Sequence, residues 1–347
     1  MTDRRAVFHD IVKGTSTVPY LTAAWQHLVG HEYGAETFAA AYVDFVKTWD
    51  WDWVKINPRA VYYSEAWGST YDQNRYDGFV LPKKLTNGID VPDDIEKVTR
   101  LDVHESAPFA EHIKGAALIR EQLQDRAVLQ TVFSPLSVLL QIADLPLYPG
   151  DEYATPNTTV KELILDQPER AKKALENIAL TLADYATELV KPADQGGAGV
   201  DGVFYAATGT VSEGYFDKAQ YEEFSEPYDR IVIDAIRKAN PDAAVLLHTC
   251  RAESHPDWFD ALGVDLIHWD QYLPGNPNIN ADLKAVPVGG ANVLLFNVDG
   301  DPEAVERELD ETIALRKGRP FLLAPSCTVF TPAGQEALKE LAAHRAV

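Results

Sequence analysis

The chain has 347 residues, with 31 lysines and arginines against 53 aspartates and glutamates, a formal charge of −22. Such a surface repels nucleic acid and anionic membranes unless its cations are concentrated, and the densest basic cluster is only Arg316-Lys317-Gly318-Arg319. Two cysteines cannot build a disulfide framework, and no 18-residue uncharged apolar run is present to form a transmembrane helix.

The N-terminal "MTDRRAVFHDIVKG" lacks the apolar core of a signal peptide. The expectation is a soluble protein of the reducing cytoplasm. There, a His and a Cys placed together are more often metal-binding or catalytic than structural.

In chain order, eight short apolar runs predict strands. They span 18–24, 53–57, 127–133, 202–207, 244–250, 264–270, 293–298 and 321–327. Near-continuous apolar strands are what a parallel sheet buried on both faces requires. Helical patterns separate them. "AETFAAAYVDFVKTW" lies between the first two runs, and "QPERAKKALENIALTLADYATELVK" repeats apolar residues at three- and four-residue spacing. A third pattern stops before Pro241, and "DPEAVERELDETIALRKG" opens on acids and closes on bases and Gly318. A closing helix covers 334–346. Eightfold strand–helix alternation predicts a single-domain (β/α)8 barrel over 1–347. The alternative is a doubly wound open sheet, but no GxGxxG follows an early strand. The Pro- and Gly-rich stretch 144–159 reads as a long loop after a strand, and "TWDWDW" at 48–53 as a helix end entering a strand.

In a barrel the active site forms where the strands end. His248 and Cys250 close the fifth run and Cys327 closes the eighth, so all three stand on one rim. Residues two apart on a strand point the same way, so His248 and Cys250 can converge. One imidazole and two thiolates form a soft set that suits Zn²⁺, with a fourth position left open as in catalytic sites. Each residue alone would more often be structural. A Cys250–Cys327 redox pair is a further alternative, which leaves His248 unexplained.

The chain resembles the uroporphyrinogen decarboxylase superfamily. The resemblance is carried by "FSPLSVLLQIA", "DGVFYAATGTVSEGYFDKAQYEEFSEPYDRIVIDAIR", "VLLHTC", "WFDALGVDLIHWD" and "PFLLAPSCTVFTPAGQEAL", within residues 10–345. One branch, the cobalamin-dependent methyltransferases, carries His-x-Cys and a distant Cys as zinc ligands, and His248, Cys250 and Cys327 match that pattern. The resemblance implies transfer of a methyl group between a corrinoid (methylcobalamin) protein and a thiol such as coenzyme M. Cobalamin would then arrive on a partner protein and zinc would activate the thiolate. The decarboxylase branch carries an N-terminal arginine-rich motif for a polycarboxylate porphyrinogen. Here "AAWQHLVGHEYG" stands in that region, and no arginine occurs between Arg5 and Arg59. The methyltransferases usually have Gly after His-x-Cys, where this chain has Arg251. Barrels of this kind often pair, so a homodimer is also expected.

Other rim residues complete the expected site. Lys55 and Arg59, at the end of the second strand, are candidates to bind an anionic substrate group. Tyr205, which closes the fourth strand, and Asp270 are further candidates to bind substrate, Asp270 and Glu253 are candidate acceptors for the second ring nitrogen of His248, and Trp269 and Phe330 can line the mouth. His268 lies two residues before Asp270 and could face the interior. Two other functions compete: a lyase acting on a carboxylated substrate, and a non-catalytic barrel that docks a corrinoid protein.

Overall fold

The structure, a computed structural model, describes residues 3–76 and 80–347. In chain order, β1 (Tyr20–Thr22) and β2 (Val54–Ile56) are followed by a hairpin, β3 (Thr70–Asp72) and β4 (Lys83–Thr86). Then come β5 (Val128–Phe133), β6 (Gly202–Thr208), β7 (Ala244–Thr249), β8 (Leu266–His268), β9 (Val286–Ala291) and β10 (Phe321–Pro325). All except the hairpin join one eight-stranded sheet in the order β1-β10-β9-β8-β7-β6-β5-β2, with every ladder parallel. Neighbours in space are neighbours in sequence, without the central reversal of a doubly wound sheet. The fold is the expected (β/α)8 barrel.

Helices clothe the sheet as the periodicity predicts. The helix Ala35–Trp49 coincides with its pattern and ends at Asp50 in a left-handed conformation (φ 52°). The helix Pro168–Val190 buries Leu175, Ile178, Leu182 and Leu189, and each such side chain contributes about 1.5–3 kcal/mol. Among the described residues no helix is long and apolar enough to cross a membrane.

One predicted strand is misplaced. The seventh strand is Val286–Ala291, "VPVGGA", and not 293–298. Residues Val293–Phe296 form a 3-10 turn, and Leu294 is exposed. A proline and two glycines disguise the true strand. Gly290 is needed there: a Cβ on it would lie 2.8 Å from the carbonyl oxygen of Ala324 on the adjacent strand. The β3–β4 hairpin was not anticipated at all.

Three strand pairs share one device at the base of the barrel. Asp201, just before β6, donates its amide to Val128 O (2.8 Å) and accepts the Val128 amide on its carboxylate (2.9 Å). Asp265 does the same with Val245 (3.0 and 2.7 Å), and Asp52 with Thr22 (2.9 Å each). The last case closes the barrel, because no ladder among the described residues joins β1 to β2. Arginines surround these acids. Asp201 pairs with Arg5 and Arg120, Asp52 with Arg4, and the neighbouring Asp50 with Arg4, Arg126 and Arg345. The Arg4 guanidinium holds Asp50 well below the usual carboxylate range.

Aromatic rings fill the barrel axis. Phe8 packs on Trp53 (6.1 Å between ring centres), Trp53 on Trp25 (5.6 Å), and Trp25 on Phe204 (5.7 Å) and His268 (5.2 Å). This column lifts the next layer of side chains to the mouth.

Candidate metal centre

At the top of the column stand His248, Cys250 and Cys327. One ligand atom from each lies within 4.8 Å of the others. The two sulfurs are 3.8 Å apart, and both cysteines are free thiols. The local chain explains the convergence. Cys250 leaves β7 with its amide bonded to Thr208 O (2.9 Å), where a register shift bends β6 against β7. Ser326 donates to Ala291 O (2.9 Å), which holds the chain ahead of Cys327 against β9. The two thiols divide their protons unequally. The hydrogen bond from Cys250 holds the Cys327 thiol well below the usual range, while the same contact and then burial push Cys250 well above it.

The sequence pointed to Asp270 or Glu253 as the acceptor for the second nitrogen of His248. In the structure His268, and neither carboxylate, stands against that nitrogen. His248 Nδ1 lies 2.9 Å from His268 Nδ1 and 3.2 Å from the His268 carbonyl oxygen, and His268 Nε2 lies 3.0 Å from Pro325 O. The rings stack with centres 4.8 Å apart. Burial, then the neighbouring His248, lowers the His268 pKa to about 3. Asp270 instead accepts the Tyr272 amide at 3.0 Å, and burial raises its pKa.

A cavity of about 400 Å³ opens above the three residues. Lys55, Asn57, Phe204, Tyr148, Arg251 and Phe330 line it. Lys55 is 4% exposed and has no carboxylate partner among the described residues. Its ammonium bonds Asn57 Oδ1 and sits 4.3 Å from the Phe204 ring centre. Burial lowers its pKa to about 7.

Two expected binding residues lie elsewhere. Arg59 is spent on structure: it pairs with Glu65 and Glu111 (2.9 and 2.7 Å) and bonds Glu32 O. Tyr205 faces away from the axis, with its hydroxyl 2.6 Å from Asp229. Side chains alternate along a strand, so on β6 Phe204 and Ala206 meet the cavity and Tyr205 meets the outer helices. Trp269 is buried and donates to Pro277 O (2.8 Å), whereas Phe330 does reach the mouth.

Two residues gain weight from the structure. Tyr148 comes from the long loop at 144–159, and burial keeps its phenol protonated. Arg251 has φ +76°, a conformation that suits glycine. Its guanidinium lies 4.7 Å from the Tyr148 ring centre, with no ion pair or hydrogen bond among the described residues. Asn276 fixes this turn by donating to Arg251 O (2.8 Å) and Asp270 O (2.7 Å).

A family model for uroporphyrinogen decarboxylase (URO-D) matches residues 31–346. The chain belongs to the URO-D family. Curated URO-D relatives include the uroporphyrinogen decarboxylases of Synechococcus sp. (strain CC9605), 24% identical over 233 residues, and Parasynechococcus marenigrum (strain WH8102), 25% identical over 235 residues. The alignments cover 66% and 67% of this chain and 60% and 61% of those proteins. A solved structure, a methyltransferase from Methanosarcina mazei, has the same fold throughout. Its TM-score is 0.72 at 16% identity, over 98% of this chain and 97% of that one.

Proposed function

We propose that this URO-D family member is a zinc-dependent methyltransferase that moves a methyl group between a corrinoid protein and a thiol. The observation that carries the reading is the convergence of His248, Cys250 and Cys327 within 4.8 Å at the floor of an open cavity. Their donor chemistry, one imidazole and two thiols, fits zinc. Cys327 is already biased to the thiolate that a metal needs. Bound there, zinc would keep a substrate thiol ionised near neutral pH.

The chain's own residues supply the rest. Tyr148 remains a hydrogen-bond donor inside the cavity. Lys55 and Arg251 offer positive charge to an anionic substrate group. The side-chain nitrogen of Asn57 has no partner among the described residues and stands on the same wall. Exposed Leu294, Val298 and Phe330, on the segments after β9 and β10, offer apolar contact to a protein that presents the methyl group. The curated relatives carry the name decarboxylase. A porphyrinogen bearing many carboxylates would need several cations. Arg59 is committed elsewhere, and the cavity has only Lys55 and Arg251 without an ion pair among the described residues.

Metal analysis tests the reading. The purified protein should hold one zinc per chain, and Cys327→Ala should lose it along with thiol-dependent demethylation of methylcobalamin, followed through the corrin spectrum. Metal-free protein that cannot be reconstituted would overturn the proposal.

A further inference from the structure

We infer that His268 is a positioning residue, whose imidazole fixes the tautomer of His248 and so makes Nε2 of His248 the atom offered to the metal. The inference rests on the zinc reading above but adds a residue outside the donor set.

The argument is one of donors and acceptors. Pro325 O, 3.0 Å from His268 Nε2, can only accept. His268 therefore carries its proton on Nε2, and in the neutral ring Nδ1 is then a bare acceptor. His268 Nδ1 lies 2.9 Å from His248 Nδ1. Two bare nitrogens would repel, so His248 carries its proton on Nδ1. The main-chain oxygen of His268, 3.2 Å from the same nitrogen, asks for the same proton. The neutral His248 ring then has one lone pair left, on Nε2. A ring nitrogen that binds a metal is held in just this way when its partner nitrogen donates to a fixed acceptor.

The relay is also anchored at both ends. Its last acceptor, Pro325, ends β10 and lies two residues before Cys327. Its middle member, His268, is fully buried and held edge-on by Trp25 (5.2 Å). Thus the orientation of the histidine donor on β7 is referred to the strand that carries the second thiol. The relay contains no carboxylate, so the donor set gains no charge from its support.

Three variants and two readouts test this. His268→Phe keeps an aromatic ring against Trp25 but cannot accept from His248. His268→Gln can do both jobs, with its carbonyl toward His248 and its amide toward Pro325 O. Zinc affinity, measured by chelator competition on the full chain, should fall about tenfold or more in His268→Phe and recover most of that loss in His268→Gln. His248→Ala sets the floor. Nitrogen-15 NMR of the metal-free parent should show His248 protonated on Nδ1 only, a readout that needs neither zinc nor turnover. His248 protonated on Nε2 would overturn the inference, as would a stably folded His268→Phe with zinc affinity within threefold of the parent. A parent that binds no zinc would sink the functional reading and leave the NMR result to decide the tautomer.

Discussion

The two ends of the barrel treat charge in opposite ways. At the base, buried Asp201 and Asp52 are matched by arginines and by the amides of neighbouring strands. At the mouth, Lys55 is buried without a carboxylate and Arg251 stands in a glycine conformation without an ion pair among the described residues. A chain with 22 surplus negative charges does not lack carboxylates to pair them. The base is satisfied and holds the fold. The mouth is left unsatisfied, and that is where a ligand gains most by binding.

The largest expected effect of breaking this contrast is at the base. Asp201→Ala strands Arg5, Arg120 and the Val128 amide, and should cost about 3–5 kcal/mol in urea unfolding. Zinc content should be unchanged in the protein that remains folded, and metal loss there would show the two ends to be coupled. Next is Lys55→Met, which removes a buried cation. The Lys55 pKa is lowered in the fold to about 7, against roughly 10.4 when unfolded. Protonated Lys55 is penalised in the fold, so the penalty is absent above about pH 10.4 and full below about pH 7. As pH rises between those limits the parent should gain up to roughly 4–5 kcal/mol on the variant. Equal slopes for the two proteins would mean that an unseen counter-charge keeps Lys55 ionised. The smallest effect is at Arg251. Arg251→Gly relieves a left-handed non-glycine conformation and should raise the unfolding free energy measured in urea by about 1 kcal/mol or less, after the entropy of glycine is subtracted. A clear loss of stability would show that the guanidinium–Tyr148 contact outweighs the strain.

The sequence made the barrel and the metal donors legible for related reasons. Apolar runs at strand length and a two-residue spacing at a strand end are local patterns: six of the eight predicted runs contain their strands, and a seventh, 202–207, stops one residue short of Thr208. The failure, Val286–Ala291, is a strand chosen for close approach and not for apolar content. Tyr205 points outward by strand parity, since Phe204 and Ala206 are the inward residues. The commitment of Arg59 is not legible in the sequence because its partners, Glu65 and Glu111, are assembled by the fold. His268 was visible as an inward candidate, but its partnership with His248 depends on the β7–β8 register, in which the two histidines are opposite. Such pairings cross strands, and no single-strand period announces them. The repeated "GVD" before β6 and β8 is the sequence sign of the base device.

The seam between β1 and β2 gives the mouth two unlike walls. His248 sits on β7 and Cys327 follows β10, strands with a ladder on each side, whereas Lys55 sits on β2, whose flank toward β1 carries no ladder among the described residues and is joined by the Asp52–Thr22 clasp and by Trp53 against Trp25. Lys55 therefore stands on the strand that borders the seam, while His248 stands on a strand with a ladder on each side.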